Sequence, residues 1–178
     1  MKRKFLVLLV GMFTCIINSQ EVLTFSDVVE VENVLSTNLY NRAKLWFASA
    51  YKSSNDVLQV ENKEEGMLIG KGSISYEQPF LSGMNTTVGN VNYLIKIFVK
   101  DGRYKYEITN FIHHGASESF GLITTDDNYP RNTKKSALKW ENRVWNDIKN
   151  QVDLEVRSLI PSIKEGMRES IASENENW

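Results

Sequence analysis

From Tyr93 to Ile108 every second position is apolar, and this set changes phase once, at Asp101-Gly102. That pair suits a two-residue type I′ turn, whose central residues both take positive φ. A turn of this length predicts Val99 opposite Tyr104, Ile97 opposite Tyr106 and Ile95 opposite Ile108, all on one apolar face. The other face then carries Lys100 with Arg103, Phe98 with Lys105, and Lys96 with Glu107, the last an opposite-charge pair. One side of this hairpin packs and the other meets water.

The same reading extends along the chain. Val22 to Glu32 alternates loosely and is rich in Val, which predicts a first strand. A helix follows, capped by Ser36 or Thr37. Its apolar stripe is Leu39, Ala43, Trp46, Phe47 and Ala50, with Asn41, Arg42 and Lys44 on the far side and Ser53 to Asp56 ending it. Val57 to Glu61 and Met67 to Tyr76 predict a second hairpin, and Gln78 to Asn90, with Pro79, Gly83 and Gly89, a loop. The strand after Gly102 continues through Phe111 and Ile112 and closes over His113 to Ser119, with a little extended structure in Phe120 to Thr124.

From Lys134 the period turns helical. Ala137, Val144, Ile148, Val152, Val156, Leu159 and Ile163 recur at three or four residues, broadened by Leu138, Trp140 and Trp145. Pro161 predicts a kink or break near Ile160, and Ala172 to Trp178 a frayed tail. The expected fold is α+β, a two-layer sandwich in β-α-β-β-β-β-α order. Its antiparallel sheet has about five strands, and its helices cover the Ile/Val/Tyr face.

Composition adds a location. Met1-Lys-Arg-Lys4 precedes an apolar run from Phe5 to Ile17 and then Asn18-Ser19, which reads as a secretory signal peptide over residues 1–19. A run of about 13 apolar residues is short for a membrane span, which needs roughly 20. Cys15, the single cysteine, lies inside it, and Met12-Phe13-Thr14 does not make the lipobox that lipidation there requires. Cleavage after Ser19 leaves residues 20–178 as one α+β domain, with its core over 22–130 and a C-terminal helix over about 134–171. Losing Lys2, Arg3 and Lys4 lowers the net charge from −1 to −4, and an acidic exported chain argues against nucleic-acid binding.

Three segments carry a resemblance. Leu39 to Trp46, Glu65 to Gly72, and Tyr93 to Tyr106 with Lys100-Asp-Gly-Arg-Tyr-Lys105 resemble the domain of unknown function 4468 family over roughly Phe25 to His113. The resemblance implies a TBP-like fold in an exported protein of Bacteroidetes-type bacteria. It brings no catalytic or binding residues, and a TBP-like shape does not imply DNA binding.

Motifs for chemistry are sparse. His113 and His114 are the only histidines, and strand neighbours point to opposite faces, so one metal cannot easily take both. Asp126-Asp127-Asn128 lacks the spacing of a calcium loop and reads as a solvated turn. Gly66 to Gly72 is one residue short of a phosphate loop and reads as a strand. There Gly70 and Gly72 leave a strip for a helix or a neighbouring side chain to approach. No catalytic residue, metal or cofactor is assigned.

The remaining surface is the water-facing side of the first hairpin, where Lys96, Lys100, Arg103 and Lys105 surround Phe98. Such a face suits an envelope protein, a glycan or an anionic lipid. Its simpler reading is that strand lysines keep the sheet soluble. The expected function is a non-enzymatic binding or assembly module of the periplasm or cell envelope. The alternatives are a small-ligand carrier or sensor, with a pocket lined by Trp46, Tyr104 and Tyr106, and a hydrolase whose polar groups converge only in the fold.

Overall fold

A computed structural model describes residues 20–51, 57–78, 86–131 and 138–168. The signal peptide with Cys15, the helix end at Ser53 to Asp56, Pro79 to Gly83, the helix start from Lys134 to Ala137 and the tail from Ala172 lie outside the described residues. Among those described, the elements run β1 (Phe25–Glu30), α1 (Ser36–Ala50), β2 (Leu58–Asn62), β3 (Met67–Tyr76), β4 (Gly89–Lys100), β5 (Arg103–Gly115), β6 (Gly121–Leu122) and α2 (Leu138–Arg168). The sheet order is β1-β5-β4-β3-β2, and every pairing is antiparallel. The short β6 pairs with the far end of β5, in line with β1. Gly89 and Asn90, expected in a loop, open β4.

The β4–β5 register is the one the Asp-Gly turn dictates: Val99↔Tyr104, Ile97↔Tyr106 and Ile95↔Ile108. Gly102 takes φ 75°, but Asp101 does not take the positive φ that the expected type I′ turn asks of both central residues; positive φ at the second position alone is the type II pattern. A bulge between Asn92 and Leu94, with Asn110 at φ 57°, then shifts the register and keeps Phe111 and His113 on the same buried face as Ile108. Both helices pack on that face and on each other. Leu39, Ala43 and Phe47 of α1, and Val144, Ile148, Val152 and Ile163 of α2, are fully buried there; Ala50, expected in the stripe, is exposed. The glycine strip of β3 is occupied. A Cβ on Gly70 would collide with the Phe47 ring, and one on Gly72 with Tyr93.

Three expectations about the helices change. First, Arg42 is not on the solvent side: it is 5% exposed, and its guanidinium donates to the carbonyls of Met167 and Arg168 at 3.2 and 3.4 Å. It thus ties α1 to the last described turn of α2, with a charged donor on two backbone carbonyls. Second, neither Ser36 nor Thr37 caps α1. Leu35 is the N-cap residue, and the cap is the carboxylate of Asp101, which accepts the Ser36 amide hydrogen at 2.7 Å. Third, Pro161 does not interrupt α2, which continues to Arg168. Both Arg157 and Pro161 are exposed, so the carbonyl that loses its amide partner remains within reach of water.

The turn expected to be merely solvated is anchored to α2. Trp145 Nε1 and Lys149 Nζ both donate to the Asp126 carbonyl at 2.9 Å, Asn146 donates to the Asp127 carbonyl, and Asn142 to the Asn128 side chain. These bonds hold the chain after β6 against the second helix.

Candidate functional site: the open face of the sheet

Because strand side chains alternate, burying Ile95, Ile97 and Val99 forces Lys96, Phe98 and Lys100 to the other side, and Tyr104 and Tyr106 do the same for Arg103, Lys105 and Glu107. No described element covers that side. The five residues expected there share one face, but they are not equivalent. Lys96 and Lys105 both bind Glu107, at 2.7 and 3.3 Å. Chiefly through the Lys96 hydrogen bond, the Glu107 carboxyl is held below the usual carboxylate range. Lys100 and Arg103 face each other at the hairpin end, are exposed, and have no ionic or hydrogen-bonding partner among the described residues. Phe98, the next residue on that face of β4 and opposite Lys105, is half-buried.

Sequence reasoning missed the apolar share of this surface. Val28 sits beside Lys105, and Met67 beside Phe98, so a row Val28–Lys105–Phe98–Met67 crosses four strands. The next row reads Ser26–Glu107–Lys96–Ile69, and farther along Leu94, Ile112 and Leu122 continue the apolar positions. Val28 is 54% exposed and Leu122 42%. Val28, Phe98, Lys100, Arg103 and Lys105 line a shallow depression of about 450 Å³. The available signal was the consecutive apolar residues in Met67-Leu-Ile69 and Tyr93-Leu-Ile95, which cannot all face one side of a strand.

The other named residues belong to the core. Trp46, Tyr104 and Tyr106, offered as a pocket lining, are 3%, 1% and 4% exposed. Trp46 donates to Ser162 Oγ at 3.0 Å and packs on Gly166, where a Cβ would come within 2.8 Å of its ring. Burial pushes the Tyr104 hydroxyl up to about 12, and it has no hydrogen-bond partner among the described residues. His113 is fully buried. Its Nδ1 accepts the Phe120 amide at 3.1 Å, so its Nε2 carries the proton and donates to the Thr87 carbonyl at 2.9 Å. With both ring nitrogens engaged it ties two loops to β5, while the adjacent His114 is exposed on the open side. No described helix is long and apolar enough to cross a membrane.

Comparison with known proteins follows the same outline. No curated protein matches the chain. A crystal structure of a TBP-like protein from Parabacteroides distasonis is similar at a TM-score of 0.60 and 17% identity, over 84% of this chain and 95% of that one. A DUF4468 family protein from Bacteroides ovatus aligns at a TM-score of 0.44 and 16% identity, over 75% and 85%. The first likeness shows the fold. The family model described as a domain of unknown function (DUF4468) with TBP-like fold matches residues 25–114, just over half of the sequence, and the chain belongs to that family.

Proposed function

We propose that this protein is an exported, non-enzymatic binding or assembly module of the periplasm or cell envelope, and that the open sheet face is its working surface. The observation that carries this reading is the depression over Phe98, where apolar floor and unpaired cations occur together. An exposed surface of that kind costs solubility unless something uses it. The helix-facing side supports the same reading, because its large side chains pack against one another: Trp145, Tyr104, Phe47 and Phe111 are all fully buried. Export rests on the basic, apolar and small-residue order of residues 1–19.

A photo-crosslinking side chain in place of Phe98 tests the surface. It should capture a discrete envelope component, whereas the same group in place of Leu154, exposed on α2, should not. Equal capture from both positions would remove the basis for assigning the function to this face.

A further inference from the structure

We propose that the open face takes an extended acidic peptide segment whose sheet-facing side chains, every second residue, are in turn acidic and apolar; this rests on the binding-module reading above. Charge is the first argument. At the hairpin end of the face stand four cations, Lys96, Lys100, Arg103 and Lys105. The facing acids are Glu107, which Lys96 and Lys105 already share, and Glu30, beside Arg103 across β1 and β5. The carboxylate of Asp101 is turned away to the start of α1. On the face itself two positive charges therefore stand in excess, on a chain whose net charge is −1; Lys63, Glu64 and Glu65 of the β2–β3 turn line an adjoining depression that Lys100 also borders. A local field of sign opposite to the whole molecule selects anionic partners.

The second argument is the pattern. An acyl chain asks for a continuous apolar track, but here charged positions interrupt the apolar ones. In the Val28–Lys105–Phe98–Met67 row, Lys105 separates Val28 from Phe98, and Lys100 and Arg103 flank the row on its open end. Strands lie about 4.8 Å apart, so Val28 and Phe98, two strands apart, are roughly 10 Å from each other. An extended peptide laid across the strands presents same-face side chains about 7 Å apart. An apolar side chain can then enter the depression while the carboxylate two residues along, on the same side of the peptide, reaches Lys100 and Arg103 at its rim. Recognition of acidic segments by exposed cations beside apolar sockets is an established mode for peptide binding.

The third argument concerns the two lysines on Glu107. They are held in place but not consumed, since one carboxylate cannot neutralise both. Removing its charge therefore strengthens the site without adding any contact. This gives the proposal a gain-of-binding arm that a damaged fold cannot imitate.

The experiment uses the protein without its first 19 residues and a short fluorescent peptide of Glu-Ser-Leu-Ser repeats, which sets glutamate and leucine in turn on one side of the extended chain, read by anisotropy. We expect binding that weakens as salt rises, falls about tenfold or more in the Lys100→Glu, Arg103→Glu double variant, and tightens in Glu107→Gln. Lys71→Glu, farther along the same face, should leave it within about twofold. Circular dichroism of each variant keeps loss of fold separate from loss of binding. A peptide with lysine in place of glutamate, or serine in place of leucine, should bind far more weakly. Equal binding by either, or indifference to Lys100→Glu, Arg103→Glu, would overturn the peptide assignment. If only phosphatidylglycerol vesicles or a sulfated glycan bind, and bind through Lys100 and Arg103, the open-face reading stands and the peptide is wrong. If nothing depends on the face, both readings fail.

Discussion

His113 shows how a single side chain fixes a junction and sets a limit on the conditions the fold tolerates. It bonds the Thr87 carbonyl and the Phe120 amide, and lies edge-on to Tyr76 with ring centroids 5.2 Å apart. Burial lowers its pKa from the ordinary value, so the folded form keeps the ring neutral while the unfolded chain protonates it near pH 6.5. Stability is therefore full above about pH 6.5 and falls as pH drops below it, because the unfolded state takes up a proton that the native state refuses. Thermal melts between pH 7.5 and 5 should show this loss, and His113→Gln should flatten it while lowering Tm at every pH. A profile unchanged by the substitution would mean that His113 does not titrate between the states.

The two helices meet the rest of the molecule at their ends as well as along their stripes. Arg42 of α1 holds the Met167 and Arg168 carbonyls of α2, and Lys164 of α2 reaches Asp27 on β1 at 3.3 Å. Arg42→Met keeps most of the packed volume but removes the donors, and should cost about 2 kcal/mol in urea denaturation. Lys44→Met, at an exposed pair with Glu61, should leave the urea midpoint nearly unchanged. The element pattern was legible because apolar periodicity records which face is buried: the hairpin register, the α1 stripe and the long α2 follow from it. Arg42 was not legible, because periodicity scores a guanidinium as polar and cannot see backbone carbonyls brought alongside from 125 residues away. Asp101 escaped for the same reason, as its role as a cap depends on a helix 65 residues earlier. Pro161 misled because a proline on a solvated helix side forfeits only a bond that water can replace.

At the scale of the whole molecule, one sheet divides the protein into a packed side and an open one. Half of the candidate site was readable in one hairpin: Lys96, Phe98, Lys100, Arg103 and Lys105 alternate with core residues, so burying one set exposes the other. The rest required the sheet order, because Val28 and Met67 join Phe98 only when β1 and β3 flank the hairpin from opposite sides. Export belongs to this scale too. Protein recovered from the native envelope should begin at Gln20 when its N-terminus is sequenced, and a chain still carrying Met1 would refute cleavage after Ser19.

The Asp101 carboxylate also orders events in time. In a chain threaded from its N-terminus, α1 emerges long before the turn that completes its first amide bond. Until that turn follows, the helix has an open start and no sheet beneath it, and a lone helix of 15 residues is marginal in water. The β4–β5 hairpin closes over two residues, so its pairing costs little loop closure, and with it the carboxylate that starts α1 comes into place. Under the proposed export, the start of α1 is completed only after the middle of the chain has arrived.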